Sequence, residues 1–191
     1  DLSQLSIQTI DIETTTENGF PNVDSPIEEV LLISLVDNAT KKVMTWGAGE
    51  WKPQSPEIED IDVEYIVCAD EYDLLEKFMS WWVNNYPDII TGWNIFGFDM
   101  EYIYKRAQVN RCHYKFFNLG KLRDTESELI IKKLSSSALG DNLLKLLPMP
   151  GRFIFDMFHE VKKGYKLDSY KLDSVSKLYL GDQKIDMAPK E

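Results

Sequence analysis

Apolar and polar positions change period several times along the first half of the chain. From Leu5 to Glu13 apolar residues fall on both faces of an extended segment, Leu5 and Ile7 on one and Ile10 and Ile12 on the other. That pattern predicts a central strand buried on both sides. Gly19, Pro21 and Pro26 mark the loop after it. Val30–Val36 is a second apolar strand, Asn38–Lys42 (NATKK) a turn, and Lys42–Trp46 a third strand, so an antiparallel three-strand meander comes first. After a polar excursion, Tyr65–Cys68 reads as a short strand. Asp70 then has the chemistry of a helix N-cap, with Glu71 and Asp73 in the first turn. Leu74, Leu75, Phe78, Met79 and Trp82 form the apolar stripe of that helix, and NNYPD ends it. Ile89–Trp93 is an apolar strand, followed by a helix over Met100–Gln108.

The second half is less periodic. SSSALGDN, Ser135–Asn142, carries turn residues between apolar flanks and predicts a protruding hairpin or loop. Phe153–Phe155 is a strand running through Asp156 into a helix near Met157–Lys163, and Ser169–Leu180 is a last helix. The YKLDS duplication is too short to be a repeat architecture. A meander followed by alternating helices and strands predicts an α/β fold: one mixed sheet with helices on both faces, in one domain spanning residues 1–191.

Composition narrows the class. At 191 residues with 43% hydrophobic side chains, the chain can bury a sizeable core. Its apolar runs are too short to span a bilayer, so no membrane partner is expected. Only Cys68 and Cys112 occur, without zinc-site spacing, which predicts free thiols and an intracellular setting. The net charge of −11 argues against tight DNA binding by this chain alone. It leaves room for a nucleic-acid enzyme, because metal-binding carboxylates are themselves acidic. The chain opens a few residues before a strand, as expected of a piece of something larger.

Two stretches carry chemistry. In TIDIETTTENGFP, Asp11 and Glu13 stand two apart on a strand and so share a face, and no Lys or Arg precedes Lys41. Paired carboxylates without a cationic neighbour suit a hard divalent cation. The same spacing at Asp60, Asp62 and Glu64 sits in polar surroundings and reads as a solvated acidic face. In DIITGWNIFGFDMEYIYKRA a strand runs out into Asn94, then Phe98 and Asp99 at a helix start. Singly, Asn94 reads as a turn residue, Phe98 as a core aromatic and Asp99 as a helix cap. Together they resemble a ledge for a substrate, with an aromatic ring able to stack on a base. Asp156 ends its strand where it could point toward Asp11, but reads first as the cap of the helix after it; Lys132, Lys133, Lys145 and Arg152 could touch phosphates, but read first as solvated basic residues.

DIET followed by GWNIFGFD resembles the first two exonuclease motifs of family B DNA polymerases. The stretch GRFIFDMFHEVKKGYKLDSYKLDSVSKLYLGDQK resembles the segment after those motifs in such polymerases, above all those of large DNA viruses and eukaryotes. The resemblance covers nearly the whole chain. It implies a ribonuclease H-like fold and a 3′→5′ proofreading exonuclease domain within a larger DNA polymerase. It implies Asp11, Glu13 and Asp99 as ligands of two divalent ions, Mg²⁺ or Mn²⁺, that activate water and stabilise the leaving 3′ oxygen. It implies Asn94 and Phe98 as holders of the 3′-terminal nucleotide, and a hairpin over Ser135–Leu147 that assists strand separation. The implied partners are the single-stranded 3′ end of DNA, the remaining polymerase domains and, through them, a sliding clamp.

The family's third motif, Tyr with Asp four residues later, is missing. None of the nine tyrosines has Asp at that offset; Tyr72 is followed there by Glu76, Tyr165 by Ser169 and Tyr170 by Ser174. In relatives this motif lies beyond the YLGDQK region. The expectation is therefore a domain truncated at its C-terminal end, weakly active or inactive alone. A non-catalytic ribonuclease H-like scaffold that contacts DNA or partner domains is the alternative.

Overall fold

The computed structural model describes residues 5–51, 62–85, 87–122, 124–136 and 140–182. Six strands form one sheet: β1 (Ile7–Thr14), β2 (Val30–Asp37), β3 (Val43–Ala48), β4 (Val63–Cys68), β5 (Ile89–Gly92) and β8 (Phe153–Asp156). Their order is β4-β3-β2-β1-β5-β8. β1, β2 and β3 pair antiparallel, as the meander requires. β5 lies parallel to β1, and β8 parallel to β5. β4 adds an edge strand parallel to β3. The sheet is thus mixed, with β1 near its middle, and the mixed α/β architecture expected for a ribonuclease H-like fold is present.

Helix α1 (Glu71–Asn84) and helix α2 (Asp99–Val109) cover one face. Asp70 caps α1 by accepting from the Asp73 amide at 2.8 Å. Leu74, Leu75, Phe78, Met79 and Trp82 are fully buried, against Ile10, Ile33, Leu35 and Trp46 of the sheet. Burying that many large side chains, at about 1.5–3 kcal/mol each, makes this layer the main source of stability. Glu71 is buried with Arg106, which donates to it through Nε at 2.7 Å and through Nη2, while Glu71 also accepts from the Val30 amide at 2.8 Å. This pair ties α1, α2 and β2 together.

Helices α3 (Met157–Gly164) and α4 (Leu172–Leu180) lie on the second face. Between them and the sheet is an apolar cavity of about 690 Å³ lined by Thr9, Asp11, Trp93, Val161, Val175 and Tyr179 among others. The second face is therefore only partly covered. Gln8, Ile10 and Ile12 are buried, but Ile7 and Thr9 are half-buried and Asp11 is exposed, so β1 is not buried on both sides as its pattern predicts. The apolar covering here is two short helices with a cavity beneath them, which cannot seal the face.

β6 (Ile130–Ser136) and β7 (Gly140–Leu146) form a separate two-stranded hairpin. This is the predicted protrusion, although its tip, residues 137–139, lies outside the described residues. Asp60 of the acidic run also lies outside them, and Glu64 is ion-paired with Lys42 at 2.5 Å. The last helix begins at Leu172 rather than Ser169, because the preceding segment folds back on itself: Tyr170 Oη donates to the Tyr165 carbonyl at 2.8 Å. Lys145 and Arg152 are not free surface cations. Lys145 pairs with buried Glu101 at 3.0 Å, and Arg152 lies over the Trp82 ring at 5.8 Å. Both cysteines are buried free thiols, and burial pushes Cys112 up to about 11. Among the described residues no helix is long and apolar enough to cross a membrane.

Candidate nuclease site

Two backbone features bring β5 and its loop up to β1. The first is Gly92. A Cβ there would stand 2.6 Å from the Ile10 carbonyl oxygen and 2.5 Å from Ile95 Cγ2, so only glycine lets β5 end this close to β1. The second is Asn94, in the left-handed region at φ 60°, a conformation that Asn tolerates better than most residues. Its carbonyl accepts from Gly97 and Phe98 amides at 2.9 and 3.0 Å, and its side chain lies against Gly97, where a Cβ would meet Oδ1 at 2.4 Å. The chain thus turns tightly from strand to helix. Phe98 takes the N-cap position of α2 without a side-chain cap bond, and Asp99 is the first helical residue rather than its cap.

Asp99 is 4% exposed, yet a helix N-terminus should favour its negative charge. Burial first, and then the charge of Asp11, nevertheless raise it from 3.8 to about 7, with Asp156 adding to the rise. Its own amide and that of Ile12 oppose the rise without cancelling it. The two carboxylates, far apart in sequence, are therefore electrostatic neighbours. Glu13 shares the strand face of Asp11 and is half-buried.

A row of rings starts at the residue before Asp99. Phe98 stacks on buried Tyr102 with centroids 5.0 Å apart. Tyr102 is fixed by donating to the Glu28 carbonyl at 2.9 Å. On the open side Phe20, 91% exposed, stands 6.5 Å from Phe98. The loop carrying Phe20 is held by Glu28, whose carboxylate accepts from the Thr15 hydroxyl, from Asn18 N at 2.7 Å and from Glu17 N at 3.1 Å. The Thr15 bond first, and then those amides, keep Glu28 below the usual carboxylate range. Sequence reasoning misses Phe20; the available signal is an aromatic in a Gly-Phe-Pro loop with no apolar pattern around it.

The donor chemistry suits a divalent cation: two carboxylates repel each other in a partly buried setting, and oxygen is the ligand type Mg²⁺ and Mn²⁺ prefer. Among the described residues, no group of three or more His, Cys, Asp or Glu side chains is arranged to hold a metal ion. Mg²⁺ commonly takes one or two carboxylates and completes its shell with water and substrate phosphates. A two-carboxylate nucleus is therefore compatible with such an ion, whereas a closed protein cage is not what this site builds.

A mixed sheet with helices on both faces, whose central strand ends beside a buried helix-start carboxylate, is the architecture of a ribonuclease H-like nuclease. Residues 3–175 match the family model for the DNA polymerase family B exonuclease domain, and the chain belongs to that family. Its relatives are viral and eukaryotic DNA polymerases. It is 42% identical over 118 residues to a DNA polymerase of Pyramimonas orientalis virus, covering 62% of this chain and 10% of that protein. It is 35% identical over 191 residues to DNA polymerase 037L of Invertebrate iridescent virus 6, covering 95% and 15%. The DNA polymerase delta catalytic subunit of Caenorhabditis elegans is 39% identical over 122 residues, covering 64% and 11%. The chain spans at most 15% of the length of these three relatives. Domains of this family are in general metal-dependent nucleases.

Proposed function

We propose that this chain is one domain of a longer DNA polymerase and that its site removes nucleotides from a single-stranded 3′ end, as proofreading requires. The observation that carries the reading is the buried carboxylate of Asp99 at the start of α2, beside the Asn94–Phe98 turn, in a chain that matches the exonuclease domain over residues 3–175. Asp11 and Asp99 would hold Mg²⁺ or Mn²⁺, with Glu13 next along the same strand face. When bound, such ions supply an activated water and stabilise the leaving 3′ oxygen. The chain's own residues bind and orient. Phe98, backed by Tyr102, offers a fixed ring face to the terminal base, and Phe20 offers a second ring from the open side. Base–aromatic stacking tolerates any sequence, which a proofreading site needs. Asn94 sets the turn that brings Phe98 and Asp99 to the same edge. The hairpin β6–β7 would serve as a strand-separating element, and a sliding clamp would be reached through other parts of the polymerase.

A non-catalytic scaffold is the second reading. Its support is the lack of a three-ligand group among the described residues. Hydrolysis by the 191 residues alone, which hold no Tyr-x-x-x-Asp, is expected to be weak. Titration with Mn²⁺, followed by electron paramagnetic resonance, separates the two. The nuclease reading expects uptake that drops at least tenfold in Asp11→Ala and in Asp99→Ala. Uptake that is absent in the unsubstituted chain, or indifferent to both substitutions, leaves the scaffold.

A further inference from the structure

Asp156 ends β8 and is 3% exposed. As the sequence suggests, it caps α3: its Oδ1 accepts from the Phe158 amide at 3.0 Å. That bond accounts for only part of it. The same Oδ1 accepts from the Asn94 amide at 2.9 Å, and Oδ2 accepts from the Phe96 amide at 3.0 Å. Both partners lie in the turn between β5 and α2, in a segment far away in sequence. The register explains how they meet, since Asp156 is the partner of Gly92 in the parallel β5–β8 pair. One carboxylate therefore reaches sideways from its own strand and grips the neighbouring turn by two amides.

We propose that Asp156 is a positioning residue: it fixes the left-handed Asn94 turn, and through it the placement of Asn94 and Phe98 against a 3′-terminal nucleotide. The inference rests on the functional reading above. Asn94 is held at φ 60° and is followed by Gly97 and Phe98, whose amides bond back to it. A turn of this kind keeps one shape only if its remaining amides are tied down. A charged acceptor serves two of them at once, and bonds to an ionised acceptor are the stronger kind. Asp156 does not touch the nucleotide in this scheme. Its effect reaches the substrate only through backbone that it holds.

The atom assignment gives a graded test. Asp156→Ser retains an N-cap acceptor for Phe158 but is too short to serve the neighbouring turn. Asp156→Asn can keep its carbonyl oxygen at the Oδ1 position while turning an amide nitrogen toward Phe96. In the full chain, hydrogen exchange read amide by amide should show Asn94 and Phe96 both deprotected in Asp156→Ser, and Phe96 alone deprotected in Asp156→Asn. The Phe158 amide should stay protected in both, which separates loosening of the turn from unfolding. The second measurement is a fluorescence titration with a single-stranded oligonucleotide carrying 2-aminopurine at its 3′ end, in Ca²⁺. Affinity should fall by about tenfold or more in Asp156→Ser and by less in Asp156→Asn, as loss of one or two charge-assisted bonds would produce. Unchanged exchange at Asn94 and Phe96 overturns the role. So does a loosened turn with unchanged affinity. An unsubstituted chain that ignores the oligonucleotide overturns the functional reading and this role with it, whereas one that binds it no more tightly than Asp156→Ser overturns this role alone.

Discussion

Replacing Asp99 with Asn should make the metal-free chain more stable above neutral pH, even though Asp99 is one of the carboxylates proposed to hold the metal. Asp99 ionises near 7 in the folded chain against an ordinary 3.8, raised by burial first and by Asp11 second. A folded-state value above the unfolded one means that the native chain holds the proton more tightly. The stabilisation from holding it is complete below pH 3.8 and is lost as pH rises through about 7. At about 1.4 kcal/mol for each pH unit, the full span is roughly 4 kcal/mol. Local relaxation and water entry reduce this, so about 2–3 kcal/mol is the expected gain of Asp99→Asn at pH 8. At about pH 4.5 the two chains should differ by less than about 1 kcal/mol, because Asp99 is then protonated in the folded state. Urea unfolding at both pH values measures it; with a slope of about 1–3 kcal/mol/M, the midpoint at pH 8 should move up by about 1 M. Added Mg²⁺ should stabilise the unsubstituted chain at pH 8 and leave Asp99→Asn unmoved. An Asp99→Asn chain that is no more stable at pH 8 than the unsubstituted one would refute the reasoning that burial, with the charge of Asp11 second, holds Asp99 above its ordinary value.

Three other substitutions probe the supports of the site. Gly92→Ala would set a Cβ 2.6 Å from the Ile10 carbonyl, and a loss of about 1–3 kcal/mol in thermal or urea unfolding is expected. Arg106→Met leaves buried Glu71 without its partner and should cost about 3–5 kcal/mol, whereas the double variant with Glu71→Leu should recover much of that loss. Phe20→Ala should change stability by less than about 0.5 kcal/mol, since the ring is exposed, while weakening the 2-aminopurine oligonucleotide by about tenfold. An unaltered oligonucleotide affinity would remove Phe20 from the site.

Period and punctuation make most elements legible. The apolar run of Val30–Val36 and the α1 stripe reflect burial against one layer, and that layer is built as expected. Turn residues reveal the hairpin, and Asp99 marks the start of α2. The apolar Ile7 overstates the burial of β1, because what covers that face depends on how well α3 and α4 seal it. The placement of β4 beside β3 and the short 3₁₀ helix His113–Asn118 have no period of their own.

The candidate site is legible in its residue types and not in its scaffolding. Asp11, Glu13, Asn94, Phe98 and Asp99 stand in two short motifs. The charge of Asp11 adds to what burial does to Asp99 from a distant segment, which no local pattern encodes. Asp156 reads as an ordinary cap because its nearest bond is one; its two further bonds exist only through the register of β5 and β8. Lys145 reads as solvated because Glu101, its buried partner, lies on a different element.

The parallel pairing of β5 with β8 has an evolutionary consequence. The chain leaves the sheet after β5, runs through α2 and the β6–β7 hairpin, and returns to the strand immediately alongside. Everything between α2 and β8 is then an excursion with both ends anchored at one edge. Its middle can lengthen, shorten or exchange its hairpin without changing the span that Asp156 must bridge to Asn94. Such an arrangement lets a lineage remodel that excursion while the turn beneath it stays in register.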